Sequence, residues 1–268
     1  MSKGFVWFAL NNEKTDYVKL SERLGACIKK HNKENKTCII TDDHMLQIPS
    51  AVRNIDHVVL LNGDTNPREK WRLSNEWQVF NLTPFTHTIK LESDMLWTAN
   101  TDWWWNHLHQ HNLMFSYDCR SYSDKLVTRT PYRNLFDRNG LPNVYSAMTY
   151  FRKSRQAQTF YNLCKHITMN WEQVRDKMLV NCHDKQATTD VVYALALKIM
   201  DPMQENKIDY EWFKFMHNKP AVNQLHDGFE NDNYLYTMRV GDDIMVGSHR
   251  QSRVFHYHNK TLAKELYE

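Results

Sequence analysis

The sequence predicts an α/β fold, in which buried parallel strands alternate with helices, and three patterns support this prediction. Residues 4–10 form a continuous apolar run, which is typical of a strand buried on both faces of a sheet. Strand and helix patterns then alternate as far as residue 97. Polar and acidic residues directly follow several of the strand patterns, and in such folds ligands bind beyond the carboxyl ends of the strands.

The first half of the chain contains six predicted elements in the order strand, helix, strand, strand, helix, strand. The strands are predicted at residues 4–10, 36–41, 57–61 and 86–91. The first helix is predicted to begin at Tyr17, where apolar residues start to recur at helical spacing, and the second is predicted at residues 67–81. Asn11, Asp42 and Glu92 each follow a strand, so we expect them at one edge of the sheet.

Three further features are predicted in the second half. A helix begins near Thr188 or Thr189, either of which would serve as its N-cap, with Asp190 near its positive end. Residues 254–258 alternate like a strand, which places His256 and His258 on one face. The aromatic residues between positions 210 and 216 are interpreted as core, or alternatively as the wall of a binding site.

The composition predicts a folded cytoplasmic protein. The chain of 268 residues is 41% hydrophobic, which is enough for a sizeable core in one large domain. Its 34 basic and 31 acidic residues leave a net charge of +3, so nucleic-acid binding would require a local basic patch. The five cysteines contain no C-x-x-C pair, which favours reduced thiols. The chain opens with a strand pattern instead of a signal peptide, and no apolar run approaches the roughly 18 residues of a membrane span, so no membrane partner is expected.

The segment Glu92-Ser93-Asp94 is the strongest candidate for a functional site. Side chains alternate along an extended chain, so the carboxylates of Glu92 and Asp94 point to one face. Carboxylate oxygens are the ligands that Mg²⁺ and Mn²⁺ prefer, and such an ion would bind a diphosphate. The alternative is that both carboxylates only interact with solvent where a strand gives way to a loop.

Six short motifs occur in a recognisable order along residues 4–260. They are the opening strand with Asp16-Tyr17 after it, residues 82–85, residues 89–96, residues 141–154, residues 187–190 and residues 254–258. Their order resembles the GT-A fold of nucleotide-sugar glycosyltransferases, especially the glycogenin-like class. The resemblance implies one GT-A-type, Rossmann-like domain over residues 1–268, with a mixed, mainly parallel central sheet flanked by helices. Residues 1–100 would approximate its nucleotide-binding half and residues 101–268 its acceptor-binding half.

The resemblance also implies a metal site. In that family a D-x-D triplet after the central strand binds the ion that bridges the diphosphate of the sugar donor, and here Glu92 replaces the first Asp. A late strand supplies a third ligand, which matches His256. The implied cofactor is Mn²⁺ or Mg²⁺, held by Glu92, Asp94 and His256. The family tends to place a basic residue near the donor phosphates where this chain has Glu76, with Arg72 one helical turn earlier.

The nucleoside-diphosphate sugar would contact residues from several motifs. The donor-binding candidates are Ala9, Asn11, Tyr17, Asp42, Arg72, Glu92, Ser93, Ser146 and Ala147, the last two lining the sugar site. Asp190 is the candidate catalytic residue. As a general base it would give inversion, as a stabiliser of an oxocarbenium-like state it would fit the retaining chemistry of glycogenin-like enzymes, and its alternative role is helix capping.

The candidate acceptor-binding residues are Trp103, Arg129 and Arg133. Arginines contact phosphates and aromatic rings stack on extruded bases, which would suit duplex DNA. Low glycine content, abundant Asn, Lys, Trp and Tyr, and compact size also resemble phage-encoded glycosyltransferases that modify hydroxymethylated bases in viral DNA, in the cytoplasm of a host cell. The alternatives are transfer to a saccharide or protein, or a non-catalytic nucleotide-sugar binding module. For the residues themselves, the alternative is that Trp103 caps a core helix and that the arginines lie on a solvated loop.

Overall fold

The structure is a computed structural model, and it describes residues 2–47, 52–61, 63–65, 72–127, 133–205, 207–219, 237–241, 243–257 and 260. No helix within these ranges is both long enough and apolar enough to cross a bilayer.

The described ranges contain strands, α-helices and two short 3₁₀ helices. The strands are β1 (Lys3–Phe8), β2 (Lys36–Thr41), β3 (His57–Leu60), β4 (His87–Lys90), β5 (Met95–Leu96), β6 (Leu113–Tyr117), β7 (Cys119–Arg120), β8 (Leu126–Val127), β9 (Val144–Arg152), β10 (Met216–Asn218), β11 (Thr237–Val240), β12 (Asp243–Val246), β13 (His249–Gln251) and β14 (Phe255–Tyr257). The helices are α1 (Tyr17–His31), α2 (Val79–Leu82), α3 (Trp104–Leu108), α4 (Asn134–Asn139), α5 (Arg155–Met169), α6 (Trp171–Met178), α7 (Thr189–Met200), and the 3₁₀ helices η1 (His44–Gln47) and η2 (Arg72–Gln78).

The central sheet has six strands in the order β3-β2-β1-β4-β9-β6. The first four run parallel to one another, whereas β9 runs antiparallel to both of its neighbours. Five of the six strands therefore point in one direction, and the carboxyl ends of β1, β2 and β4 meet at one edge. The predicted α/β class and the mixed, mainly parallel sheet are confirmed, and the predicted strand at residues 36–41 has the observed bounds.

Strand β1 explains why the opening run is apolar at every position. Phe5 and Trp7 pack into the core on one face of the sheet, and Val6 packs into the core on the other face. Helix α1 covers the first face, and α5 and α7 contribute residues to the second core. A strand with helices on both sides has no solvent-facing position, so its sequence does not alternate.

Helix α1 begins where the sequence predicts. The side chain of Asp16 accepts a hydrogen bond from the Lys19 amide at 3.0 Å and caps the helix, and Leu20, Leu24 and Ile28 form its buried face. The sequence predicts a charged turn at residues 29–32, but the helix continues through Lys29 and Lys30 to His31, because basic residues are favourable in a last helical turn.

The predicted second helix differs from the structure in type. Residues 72–78 form the 3₁₀ helix η2, only Val79–Leu82 are α-helical, and residues 66–71 lie outside the described ranges. Side-chain amides tie this segment to the loop that follows β3, since Asn75 accepts from the Thr65 amide at 2.8 Å and Gln78 donates to the Gly63 carbonyl at 2.9 Å. Such bonds compete with regular α-helical geometry.

Two smaller sheets complete the described fold. Strands β5-β14-β10-β7-β8 form one, and β11-β12-β13 form the other. In the first of these, β14 pairs antiparallel with β5, which places His256 opposite Met95. The last described strand of the chain is thereby fixed beside the segment that follows β4, and this pairing builds the candidate site.

Asp56, which directly precedes β3, forms hydrogen bonds to the beginning of β2. Its carboxylate accepts from the Thr37 amide at 2.8 Å and from the Thr37 hydroxyl at 3.0 Å, and it pairs with Lys29. Burial raises the pKa of Asp56, but the bonds from Lys29 and Thr37 outweigh it and lower the pKa from 3.8 to about 2. A carboxyl whose pKa is lower in the folded state stabilises the protein fully at pH values above its unfolded-state pKa. This stabilisation is lost as the pH falls to the folded-state pKa.

We therefore expect Asp56→Asn to lower the free energy of unfolding by about 1 kcal/mol near neutral pH, a figure reduced for solvent screening. The difference from the wild type should shrink as pH falls from about 4 to about 2. Urea unfolding at a series of pH values measures this, with exposed Asp176→Asn as the matched control. A difference that is independent of pH would contradict the role given to Asp56.

Candidate metal and nucleotide site

The acidic segment lies at the carboxyl edge of the central sheet. Leu91 follows β4 and its amide still donates to the Val6 carbonyl of β1 at 2.9 Å, so the backbone is held up to the first carboxylate. Two residues further on, the amide of Tyr257 in β14 donates to the Asp94 carbonyl at 3.1 Å. The segment is thus held by the central sheet before Glu92 and by the smaller sheet at Asp94.

Three potential metal ligands converge here. The Nε2 atom of His256 lies 3.1 Å from Glu92 Oε2 and 3.3 Å from Asp94 Oδ1. One ligand atom from each of the three residues falls within 4.8 Å of the others. The predicted proximity of Glu92, Asp94 and His256 is therefore observed, whereas the ion itself stays a prediction. His258 lies outside the described residues.

The chemistry of these donors suits a divalent ion. Two carboxylate oxygens are the ligands that Mg²⁺ and Mn²⁺ prefer, and one imidazole leaves several coordination positions for oxygen atoms of a bound phosphate or water. Asp94 and His256 are both buried, so their orientation is fixed by packing. The side chain of Glu92 is 26% exposed and has more freedom, which accommodates its extra methylene.

Positive groups compensate the two carboxylates. The ammonium of Lys260 forms an ion pair with Asp94. Burial alone would raise the pKa of Glu92, but the hydrogen bond and charge of His256, with the charges of Lys90 and Lys260, hold that pKa well below its usual range. Glu92 is therefore ionised at neutral pH, as a metal ligand must be.

A cleft with a volume of about 390 Å³ opens beside the triplet. Its described lining residues are Phe8, Leu10, Asn12, Tyr17, Arg72, Leu73, Glu76, Leu91, Glu92, Ser93 and Asp94. The volume lies within the range of small-molecule sites, roughly 300–1,000 Å³. Phe8 and Leu10, at and just after the end of β1, line the cleft with apolar side chains, and Glu92-Ser93-Asp94 line it with polar ones.

Four of the predicted donor-binding residues line this cleft, namely Tyr17, Arg72, Glu92 and Ser93. Burial raises the pKa of the Tyr17 hydroxyl, and the nearby charge of Glu92 raises it further. Arg72 forms ion pairs with Asp64 at 2.6 Å and with Asp42 at 3.4 Å. Its guanidinium is thus held between the loops that follow β2 and β3, and Arg72 lines the cleft. Asp42 is not among the described residues that line the cleft, but it contacts Arg72, which is.

The other predicted donor-binding residues have different surroundings. Ala9 is buried in the core, and the Asn11 side chain accepts a hydrogen bond from the Val18 amide at 3.1 Å. Ser146 and Ala147 are also buried. None of these four is among the described residues that line the cleft.

A buried ionic network that the motifs did not reveal lies behind the cleft. Lys90, which is fully buried in β4, pairs with Glu76 and donates to the Ser146 carbonyl at 3.1 Å. Burial raises the pKa of Glu76 to about 7, with Lys90 opposing the shift and Glu92 adding to it. The sequence contains one signal of this network, which is a lysine between Ile89 and Leu91 in a predicted strand. A buried ammonium needs a hydrogen-bonding or charged partner.

Asp190 belongs to the same network. Its Oδ1 atom accepts from the Ser146 amide at 2.7 Å and the Ser146 hydroxyl at 2.8 Å, and its Oδ2 atom accepts from Arg133 Nη2 at 2.7 Å. Thr188 occupies the N-cap position of α7, but its side chain makes no capping bond. The carboxylate of Asp190 thus joins α7 to β9 and does not cap its own helix.

The predicted acceptor-binding residues do not form one surface. Arg133 is only 3% exposed, its guanidinium lies 3.7 Å from the ring centroid of Tyr145, and it pairs with Asp190. The structure therefore differs from the predicted contact between Arg133 and an acceptor. The charge of the guanidinium is paired with Asp190, and its flat face is covered by the Tyr145 ring. Trp103 is 44% exposed but is not among the described cleft residues, and Arg129 lies outside the described ranges.

Comparison with known proteins assigns no family to this geometry. No family model matches the chain, and no curated protein is significantly similar to it in sequence. The function must therefore be argued from the site itself.

The Glu76–Lys90 pair can be tested by a double-mutant cycle. We expect Glu76→Gln to leave the Lys90 ammonium buried without a carboxylate and to cost about 3–5 kcal/mol of unfolding free energy. The double variant Glu76→Gln with Lys90→Met should recover most of this loss, because both charges are then absent. Urea unfolding measures each corner of the cycle.

The pair of Arg175 with Asp176, whose side chain is 64% exposed, is the matched control, and the same substitutions there should give no measurable coupling. Additive losses at Glu76 and Lys90 would show that the two side chains do not stabilise each other.

Proposed function

We propose that this protein is a metal-dependent transferase that acts on a nucleoside diphosphate derivative. More particularly, we propose a glycosyltransferase of GT-A type, which moves a sugar from a nucleoside-diphosphate sugar to a hydroxyl group of an acceptor. The mixed sheet with an acidic triplet after its central strand β4 supports this reading, as does the resemblance of the motifs to the glycogenin-like class.

The observation that carries the proposal is the convergence of His256 on Glu92 and Asp94, two residues that line the cleft. The side chains come from two segments far apart in the chain, residues 92–94 and residue 256, and offer two hard oxygens and one imidazole nitrogen. A structural salt bridge would not need this open position beside a cleft of about 390 Å³. A diphosphate bound there would complete the coordination of an ion.

The chain's own residues divide the remaining tasks. A bound Mn²⁺ or Mg²⁺ would act as a Lewis acid on the departing diphosphate. Arg72, which lines the cleft and pairs with Asp64 and Asp42, and Lys260, which pairs with Asp94, would contact the diphosphate oxygens in addition to their carboxylate partners. Tyr17 and the apolar wall at Phe8 and Leu10 provide the surface for a nucleoside.

Asp190 is assigned a stabilising role in this proposal. Three hydrogen bonds, from the Ser146 amide, the Ser146 hydroxyl and Arg133, hold its two carboxylate oxygens, so the carboxylate cannot turn toward an attacking hydroxyl without losing at least one of them. A fixed carboxylate of this kind instead stabilises positive charge that develops on a sugar ring. This arrangement favours retention of anomeric configuration over inversion.

The metal dependence is tested by the release of nucleoside diphosphate from a panel of nucleotide sugars in Mn²⁺. We expect the wild type to hydrolyse one donor slowly without an acceptor, and Asp94→Asn to reduce the rate by at least about 100-fold, because one ligand and its charge are lost. Asp176→Asn is the matched control. Turnover that persists in a metal chelator, or in Asp94→Asn, would remove the metal from the mechanism.

Ion binding can be measured without turnover. We expect Mn²⁺ to raise the melting temperature of the wild type, since a ligand that binds only the folded state stabilises it by about 2.7 kcal/mol at 100 times its dissociation constant. His256→Ala and Asp94→Asn should abolish this shift. A nucleotide-sugar binding module would show the shift but no hydrolysis of any donor, so the two experiments separate a transferase from a binding protein.

The acceptor is tested by adding candidates to the active donor. Duplex DNA that contains hydroxymethylated bases, a mixture of oligosaccharides and a protein rich in exposed Ser and Thr represent the three acceptor classes. The phage-type hypothesis predicts that only the modified DNA accepts sugar and that the rate falls steeply with salt. Equal transfer to unmodified DNA, or transfer only to another class, would refute that hypothesis.

The role of Asp190 has its own readout. We expect Asp190→Asn to lower kcat by about 100-fold with little change in KM for the donor, because the lost charge acts mainly in the transition state. Ser146→Ala should lower kcat less, since the backbone amide still holds Oδ1. A KM effect without a kcat effect in both variants would make Asp190 part of donor binding only.

A further inference from the structure

We propose that an exposed aromatic surface outside the cleft binds a neutral saccharide. The surface consists of Trp103, Trp212 and Tyr210 and is called here the aromatic platform. The inference goes beyond the proposed transferase activity and does not depend on it.

The three rings form a continuous surface. The ring centroids of Trp103 and Trp212 are 5.1 Å apart, and Tyr210 stacks on Trp212 at 5.2 Å with an interplanar angle of 18°. Trp103 is 44% exposed and Tyr210 is 36% exposed, whereas Trp212, which contacts both, is partly buried against the core. Several exposed aromatic rings in contact with one another indicate a binding surface more strongly than a single exposed ring does.

The platform is rigidly supported from below. The buried ring of Trp104 lies 5.3 Å from Trp212 and 5.4 Å from Phe213, which is also buried. Aromatic packing of this kind fixes the orientation of the outer rings before any ligand arrives. A preorganised surface loses little conformational entropy on binding.

Polar groups border the rings. The imidazole of His107 lies 5.7 Å from the Trp103 ring and 5.8 Å from the Trp212 ring, and His111 Nε2 lies 3.4 Å from the Tyr210 hydroxyl. Exposed side chains of Asn106 and Gln110 lie in the same stretch of chain. A pyranose ring presents C–H groups on its faces and hydroxyls around its rim, so flat aromatic rings bordered by amides and imidazoles match both parts.

Charge argues against a nucleic acid as the occupant. Residues 98–112 and 208–213, which supply the platform, contain no Lys or Arg, and they include Asp102, Asp209 and Glu211. The nearby cations are already engaged, since Lys207 lies over the Tyr117 ring, Lys214 pairs with Asp209, and Arg120 and Arg253 pair with Glu211. A surface that stacks the bases of single-stranded nucleic acid normally adds positive charge along the backbone, whereas a neutral saccharide requires none.

The platform is separate from the cleft. None of its three residues is among the described residues that line the cleft. Trp105, two residues beyond Trp103, packs against Phe5 and the ammonium of Lys3 at the beginning of β1, whereas the cleft lies at Phe8 and Leu10, where β1 ends. The two sites therefore lie toward opposite ends of the same strand.

Affinity electrophoresis of the whole chain tests the proposal. Native gels would contain amylopectin, mixed-linkage β-glucan, xylan or glycol chitin, with a gel lacking polysaccharide as the reference. We expect at least one neutral polysaccharide to retard the wild type. Trp103→Ala and Trp212→Ala should each weaken that retardation by about tenfold in dissociation constant, and Trp103→Phe should retain most of it.

Met203→Ala is the matched control, because Met203 is 78% exposed and apolar but lies outside the platform. Thermal unfolding of each variant establishes that it is folded, and either alanine variant is sufficient for the test if the other does not fold. Binding is read without any sugar donor, so failure of the transferase proposal would leave this result unaffected.

Three results would overturn the proposal. One is a wild-type mobility that no polysaccharide changes, and another is equal retardation of the wild type and Trp103→Ala. The third is binding of a single-stranded oligothymidylate that Trp103→Ala abolishes, which would make the platform a nucleic-acid surface.

Discussion

The antiparallel pairing of β14 with β5 is the contact on which the candidate site depends. This pairing places His256 opposite Met95 and directs its Nε2 atom toward Glu92 and Asp94. Without it, the two carboxylates would lie at a sheet edge with no third ligand. A short strand from late in the chain therefore converts a pair of acidic side chains into a potential coordination site, at the same edge where β1 and β4 end.

Behind that edge, the protein buries charge. Lys90 lies within β4, where hydrophobic residues would stabilise the sheet more simply, and its ammonium is shared between Glu76 and the Ser146 carbonyl. Ser146 in turn holds Asp190, which Arg133 also contacts. Removing charge from water is costly, so a continuous network from the cleft wall to α7 indicates that these side chains serve the site more than they serve stability.

The enclosed Arg133 and the exposed aromatic platform revise how the second half of the chain is interpreted. The sequence predicts Trp103 and Arg133 on one acceptor surface because basic and aromatic residues are interleaved there. In the structure the arginine faces inward to a carboxylate, while the tryptophan packs with Trp212 and Tyr210, where the nearby arginines are paired with Glu211. Trp103 and Arg133, which belong to one aromatic and basic stretch of the sequence, thus have unrelated surroundings in the structure.

The sequence by itself determined the α/β class, the strands β1 to β4 and the start of α1, because apolar runs and the Asp16 cap are local signals with local causes. It also identified Glu92, Asp94 and His256 as potential ligands. Only the tertiary structure decided that η2 is a 3₁₀ helix, that Lys90 and Glu76 form a buried pair, and that Arg133 is covered. Those outcomes depend on which distant side chains supply hydrogen bonds and opposite charge, and contacts between distant segments leave no periodic pattern in the chain.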